Sequence, residues 1–119
     1  MGRLDKWRNR EIQDDGGTTS DDFRKFATDF REDLRFQLAP KEIDIVGYNK
    51  GHYYVSGFMR NRKTDKFGYF SISDVRYFND WQTNILVRSA RDMEDFTGGP
   101  NNTATVESFA DVAERVTNG

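Results

Sequence analysis

Four strand-like segments crowded between Ile43 and Ala90 leave this chain little choice of fold. They read IDIVGY, HYYVSGFMR, KFGYFSISDV and NILVRSA, and short turn signals stand between them. Asn49-Lys50-Gly51 offers a glycine for the positive φ of a tight hairpin, and Asn61 to Asp65 makes a second, polar loop. The spacing therefore predicts antiparallel strands over Ile43–Tyr48, from His52 to about Arg60, and from Lys66 to about Val75. A further strand is predicted over Asn84–Ala90, around the continuous apolar run Ile85-Leu86-Val87. Tyr53, Val55 and Met59 alternate with Tyr54 and Phe58, while Phe67, Tyr69 and Val75 alternate with Phe70 and Ile72. Both faces are apolar, so both must be covered or must expose aromatics for binding.

Helices are expected on either side. Ser20 is a good N-cap, and Asp21 and Asp22 suit the positive end of a helix dipole. Phe23, Phe26, Ala27, Phe30 and Leu34 then recur at helical spacing as one apolar stripe, and Pro40 closes the region. At ~100° per residue, Arg24, Arg31 and Arg35 line one flank of that stripe, and Asp22, Asp29 and Asp33 line the other. Near the end, Thr105 caps a helix with Val106, Phe109, Ala110, Ala113 and Val116 on one face. The connection Asp74–Asn84 reads as irregular or as a short helix, and Arg91–Asn102 as a loop broken by Gly98-Gly99-Pro100. The fold class is α+β: an N-terminal amphipathic helix, an antiparallel sheet of three to four strands and a C-terminal helix, as a single domain over residues 20–119. Residues 1–19 are a flexible or short-helical segment that packs through Trp7 or stays partly ordered.

Residue types exclude several chemistries. The 119 residues hold no cysteine and one histidine, His52, so thiolate sites, cysteine nucleophiles and multi-imidazole centres are ruled out. His52 is read as a surface or hairpin residue, and no serine has the context of a hydrolytic triad. The helix–strand order invites comparison with the restriction-endonuclease fold, where carboxylates and a lysine on the central strands hold a metal and activate water. Strand three instead offers Ser71-Ile72-Ser73-Asp74. Lys66 stands at the wrong end of it, and only Glu32 on the first helix could join Asp74. Asp92, Glu94 and Asp95 match no calcium-loop spacing. No metal or cofactor is expected. Apolar runs are too short to span a membrane, the start lacks a signal-peptide core, and Lys6 breaks the myristoylation pattern. A cytoplasmic location is the expectation.

What remains is binding. Aromatic residues make up 14% of the chain, more than one thin core needs. That surplus, without a catalytic constellation, points to a non-enzymatic protein that occupies a surface of a larger protein. Tyr77, Phe78 and Trp81 are the expected interface anchors, with Arg76 and Arg88 flanking them, because aromatics and arginine dominate interface energetics. The partner is an effector protein or a second copy of the chain. The alternative is a nucleic-acid-binding module. Arg60, Arg62, Lys63 and Lys66 would touch phosphates from a hairpin tip, and Tyr53 and Tyr69 would stack on bases. The segment Lys66-Phe67-Gly68-Tyr69-Phe70 departs from the RNA-recognition-motif strand by transposing glycine and aromatic. The formal charge of −2 also disfavours wholesale binding to nucleic acid.

The string YYVSGF, YFSISDVRYF and NILVRSARDMEDFTGG, followed by a capped helix with ESFADV, resembles small accessory proteins of phages and conjugative elements. The resemblance covers roughly residues 23–116 and rests on word pattern. It implies a setting in which small proteins inhibit host defence, anti-CRISPR proteins among them, by binding an effector or masking its nucleic-acid groove. It assigns no functional residue.

Overall fold

The apolar stripe from Phe23 to Leu34 is buried along its whole length: Phe23, Phe26, Phe30 and Leu34 are all at 0% exposure. Each such side chain contributes about 1.5–3 kcal/mol of transfer free energy. The computed structural model describes residues 4–7, 21–50, 54–72, 83–95 and 99–118. Helix α1 spans Asp21–Leu38 and is extended by a 3-10 turn, Ala39–Lys41, where Pro40 suits a first-turn position. Glu42 then adopts the left-handed conformation (φ 59°), which swings the chain into the sheet. The predicted Ser20 cap lies outside the described residues.

Before α1, a 3-10 turn over Asp5–Trp7 buries Leu4 and Trp7. The Trp7 indole sits edge-on to Phe26 with ring centroids 5.8 Å apart, and its Nε1 donates to Asp29 Oδ2 at 2.9 Å. The indole therefore adds apolar area to the core while its one polar atom is satisfied.

The sheet is an antiparallel meander of five strands in sequence order: β1 (Ile43–Lys50), β2 (Val55–Asn61), β3 (Lys66–Ile72), β4 (Ile85–Ala90) and β5 (Asn102–Ala104). Three to four strands were expected. The fifth lies at the end of the segment read as loop, where Asn102, Thr103 and Ala104 pair with Val87, Leu86 and Ile85. It carries one apolar residue, so no periodicity announces it. β1 also runs two residues beyond its expected end, through Asn49 and Lys50. A bulge at Val46 shifts its register against β2 between Ile45 and Gly47.

Register sorts the side chains. Tyr48 pairs with Gly57, Gly57 with Phe70, and Phe70 with Val87, so these share one face with Val55, Met59, Asn61, Ile72, Ile85 and Ala104. Both helices cover that face. Tyr48 reaches Ala27 of α1, and Phe70 meets Phe109 of the C-terminal helix edge-on with centroids 5.5 Å apart. Helix α2 is Phe109–Asn118. The helix begins four residues after the expected cap Thr105, which instead closes the preceding turn: Ser108 N donates to Thr105 Oγ1 (3.1 Å) and Thr105 N donates to Ser108 Oγ (2.9 Å).

The other face carries Phe58, Tyr69 and Arg88. Phe58 is 3% exposed and Arg88 4%. The chain after β4 folds back across this side, where Asp95 O accepts a hydrogen bond from Arg88 Nη2 at 3.0 Å. Asp95 itself is buried, its Oδ2 accepting from Arg91 N and Nε. Asp92 Oδ1 caps Glu94 N at 2.8 Å. These carboxylates satisfy their own loop.

Candidate protein-binding groove

Periodicity put Arg24, Arg31 and Arg35 on one flank of α1, and the meander puts the outer edge of β1 beside that flank. The two elements run antiparallel. Lys50 lies over the Phe23 ring, Tyr48 donates its hydroxyl to Ala27 O at 2.8 Å, and Arg31 sits 5.8 Å from the centre of the Tyr48 ring. Arg31 and Arg35 then border Ile45, Val46 and Gly47.

Two shallow depressions follow this seam, and a third lies beside α1 with no β1 residue in its lining. The third, of about 310 Å³, is lined by Lys6, Arg24, Lys25, Thr28 and Asp29. The next, about 270 Å³, shares Arg24 and Thr28 with it and adds Ala27, Arg31, Tyr48 and Lys50. The last, about 420 Å³, shares Arg31 and Tyr48 and continues to Arg35 and the bulge. The last two form one groove with Arg24, Arg31 and Arg35 on the helix side and β1 on the other. Asp29 is engaged by Lys6 Nζ at 3.0 Å as well as by Trp7. Glu32 is shared by Arg35 at 2.6 Å and Arg31 at 3.5 Å. One carboxylate between two guanidiniums leaves positive charge to spare, and the Arg31 and Arg35 side chains stay about half exposed or more, at 47% and 66%. Glu32, named above as a metal-ligand candidate, is thus an arginine partner; Asp74 lies outside the described residues.

Tyr48 closes the floor of the groove. Burial pushes its phenol well above the ordinary tyrosine range, and the Arg31 charge only partly opposes this. The unfolded chain ionises tyrosine near pH 10, whereas the native state keeps the proton. This contribution is therefore complete below about pH 10 and declines as pH rises beyond it, with a slope of up to about 1.4 kcal/mol per pH unit. Urea denaturation in steps from neutral to strongly alkaline pH should show that decline. Tyr48→Phe should lessen its steepness at the cost of the Ala27 hydrogen bond.

The predicted sites fare differently. Arg76, Tyr77, Phe78 and Trp81 lie outside the described residues, as does Tyr53. Arg88 is not a surface anchor. Its guanidinium stacks 4.3 Å from the Tyr69 ring centre and donates to Asp95 O and Ser89 O, because β4 turns it toward the folded-back loop. Tyr69, on its other contacts, lies 5.1 Å from Phe58, so its ring is engaged inside the sheet layer rather than offered to a base.

The basic hairpin is largely neutralised. Arg60 makes two hydrogen bonds to Asp65 Oδ1, at 2.9 and 2.5 Å. Arg62 Nε stands 3.4 Å from Asp44 Oδ2, and Lys63 Nζ 3.6 Å from Glu114 Oε2. Glu114 also accepts from Lys41 Nζ at 3.1 Å; that hydrogen bond lowers the Glu114 carboxyl pKa and raises that of Lys41. Lys66 is exposed. Three of the four cations thus face a carboxylate, which weakens any phosphate field at the tip.

The arginine row was visible in the sequence as a helix flank without a role. The strand order, which leaves β1 at an edge among the described strands, places that strand beside it. No helix among the described residues is long and apolar enough to cross a membrane. Comparison with known proteins finds no matching family model, no matching curated protein and no matching solved structure.

Proposed function

We propose that this chain is a non-enzymatic binding module that acts by occupying a surface of a larger protein, and that it does so through the groove between α1 and β1. The observation that carries this reading is the continuity of two depressions between the arginine flank of α1 and the strand β1. Exposed arginines beside a seam lined by Ile45, Val46 and Tyr48 are the composition of a protein-recognition surface. In the anti-defence setting that the sequence resemblance implies, the larger protein would be a host effector. The alternative, nucleic-acid contact through Arg60, Arg62, Lys63 and Lys66, is disfavoured by the acidic partners of that hairpin.

The two readings separate in one titration series. Labelled polyglutamate and labelled single- and double-stranded oligonucleotides are measured by anisotropy from low to physiological salt. Polyglutamate is expected to bind, and Arg31→Glu with Arg35→Glu to weaken it by about tenfold or more; Lys63→Glu with Lys66→Glu should leave it unchanged. Tight oligonucleotide binding that falls steeply with salt and is lost in the hairpin variant would instead establish the alternative.

A further inference from the structure

The geometry points to a specific mode of recognition in this groove: a short acidic peptide added as an extra strand along β1, its carboxylates on Arg31 and Arg35. The inference rests on the reading of the groove as a protein-binding face and adds the chemistry of the occupant. Strand β1 pairs with β2 alone among the described strands, so its outer row of backbone N–H and C=O groups forms a template for an incoming chain. The bulge at Val46 divides that edge and leaves Gly47, Tyr48, Asn49 and Lys50 in unbroken register. An interrupted edge suits a short segment and resists an open-ended ladder.

Spacing supplies the motif. Arg31 and Arg35 stand ~6 Å apart along the α1 axis, from four residues of helical rise. Side chains on the same face of an added strand recur every ~6.7 Å. With α1 alongside β1, an acid-x-acid sequence would set its two acidic side chains opposite the two guanidiniums. A second copy of this chain is the poorer occupant. Two-fold pairing of β1 with itself keeps both sheets' faces in common and brings the two arginine rows against each other. Charge complementarity therefore selects a foreign acidic segment.

The test uses the full chain and three synthetic peptides: glutamate alternating with threonine, the same residues with glutamates adjacent, and the alternating peptide N-methylated at every second backbone nitrogen. The alternating peptide is expected to bind about tenfold more tightly than either comparator, to lose that affinity to Arg31→Glu with Arg35→Glu, and to protect amides within Gly47–Lys50 from hydrogen exchange. Equal binding of all three peptides, still lost in the arginine variant, overturns strand addition and leaves the groove standing as a protein-binding face. No peptide binding with either arginine set, or oligonucleotides outcompeting all three peptides, overturns both. A dimer in light scattering that protects the same amides without peptide overturns the choice of occupant. Circular dichroism of Arg31→Gln with Arg35→Gln, a milder pair at exposed positions, guards against misreading a folding defect and should give the same ranking of peptides.

Discussion

Replacing Gly57 with alanine is expected to destabilise the fold by about 3 kcal/mol or more, at the upper end for overpacking a core. Gly57 lies mid-strand in β2, on the helix-covered face. A methyl group there would collide with the Gly47 carbonyl oxygen and stand 2.7 and 2.8 Å from Phe70 ring atoms. The ring cannot retreat, because Phe109 and Tyr48 hold it from other directions. Nor can the carbonyl move easily, since it belongs to the residue at which β1 resumes register after its bulge. Phe70→Leu in the same chain should recover only part of the loss, because the ring leaves and the backbone oxygen stays. Urea denaturation of the two single variants and the double variant measures this as a coupling. An unchanged midpoint for Gly57→Ala would show that the strands do not approach this closely.

Asn61→Ala should cost about 3 kcal/mol by a different route, the stranding of buried polar groups. Asn61 is fully buried at the end of β2. Its Oδ1 accepts Lys63 N at 2.9 Å and Thr64 N at 3.3 Å, shaping the hairpin loop, and its Nδ2 donates to Thr117 Oγ1 at 3.1 Å. Thr117 is also fully buried, donates to Ala113 O and receives Thr64 Oγ1 on its carbonyl at 2.6 Å. One asparagine thus ties the β2–β3 loop to the last turn of α2. Thr64→Ala acts on the same residue of α2, so the two substitutions should be non-additive. Hydrogen exchange should rise first in the last turn of α2. Additive losses confined to the hairpin would refute the tie.

Much of this architecture could be read from residue order. The phenylalanine stripe of α1, its arginine flank and the Asn61–Asp65 hairpin loop rest on local rules that tertiary packing did not override, whereas Asn49 and Lys50, read as a turn, continue β1 and pair with Ser56 and Val55. The failures have physical causes. β5 is three residues of Asn-Thr-Ala, too short for alternation to register. Asn61 stands among Arg60, Arg62 and Lys63, so composition disguised a buried structural residue as loop surface. Arg88 follows an apolar run and was expected outside, yet an aromatic ring and a backbone carbonyl make burial affordable for a guanidinium. The groove itself combines two elements that are legible separately; only strand order joins them.

The two margins of the meander are unequal, and the inequality limits what can be built on it. One is the eight residues of β1; the other is the three residues of β5. Head-to-tail growth of a sheet requires a donor and an acceptor of comparable length on every copy. Among the described strands one margin is long and the other short, so a complex built by strand addition at β1 is expected to hold one partner per chain and not to propagate, which light scattering of the peptide complex would check.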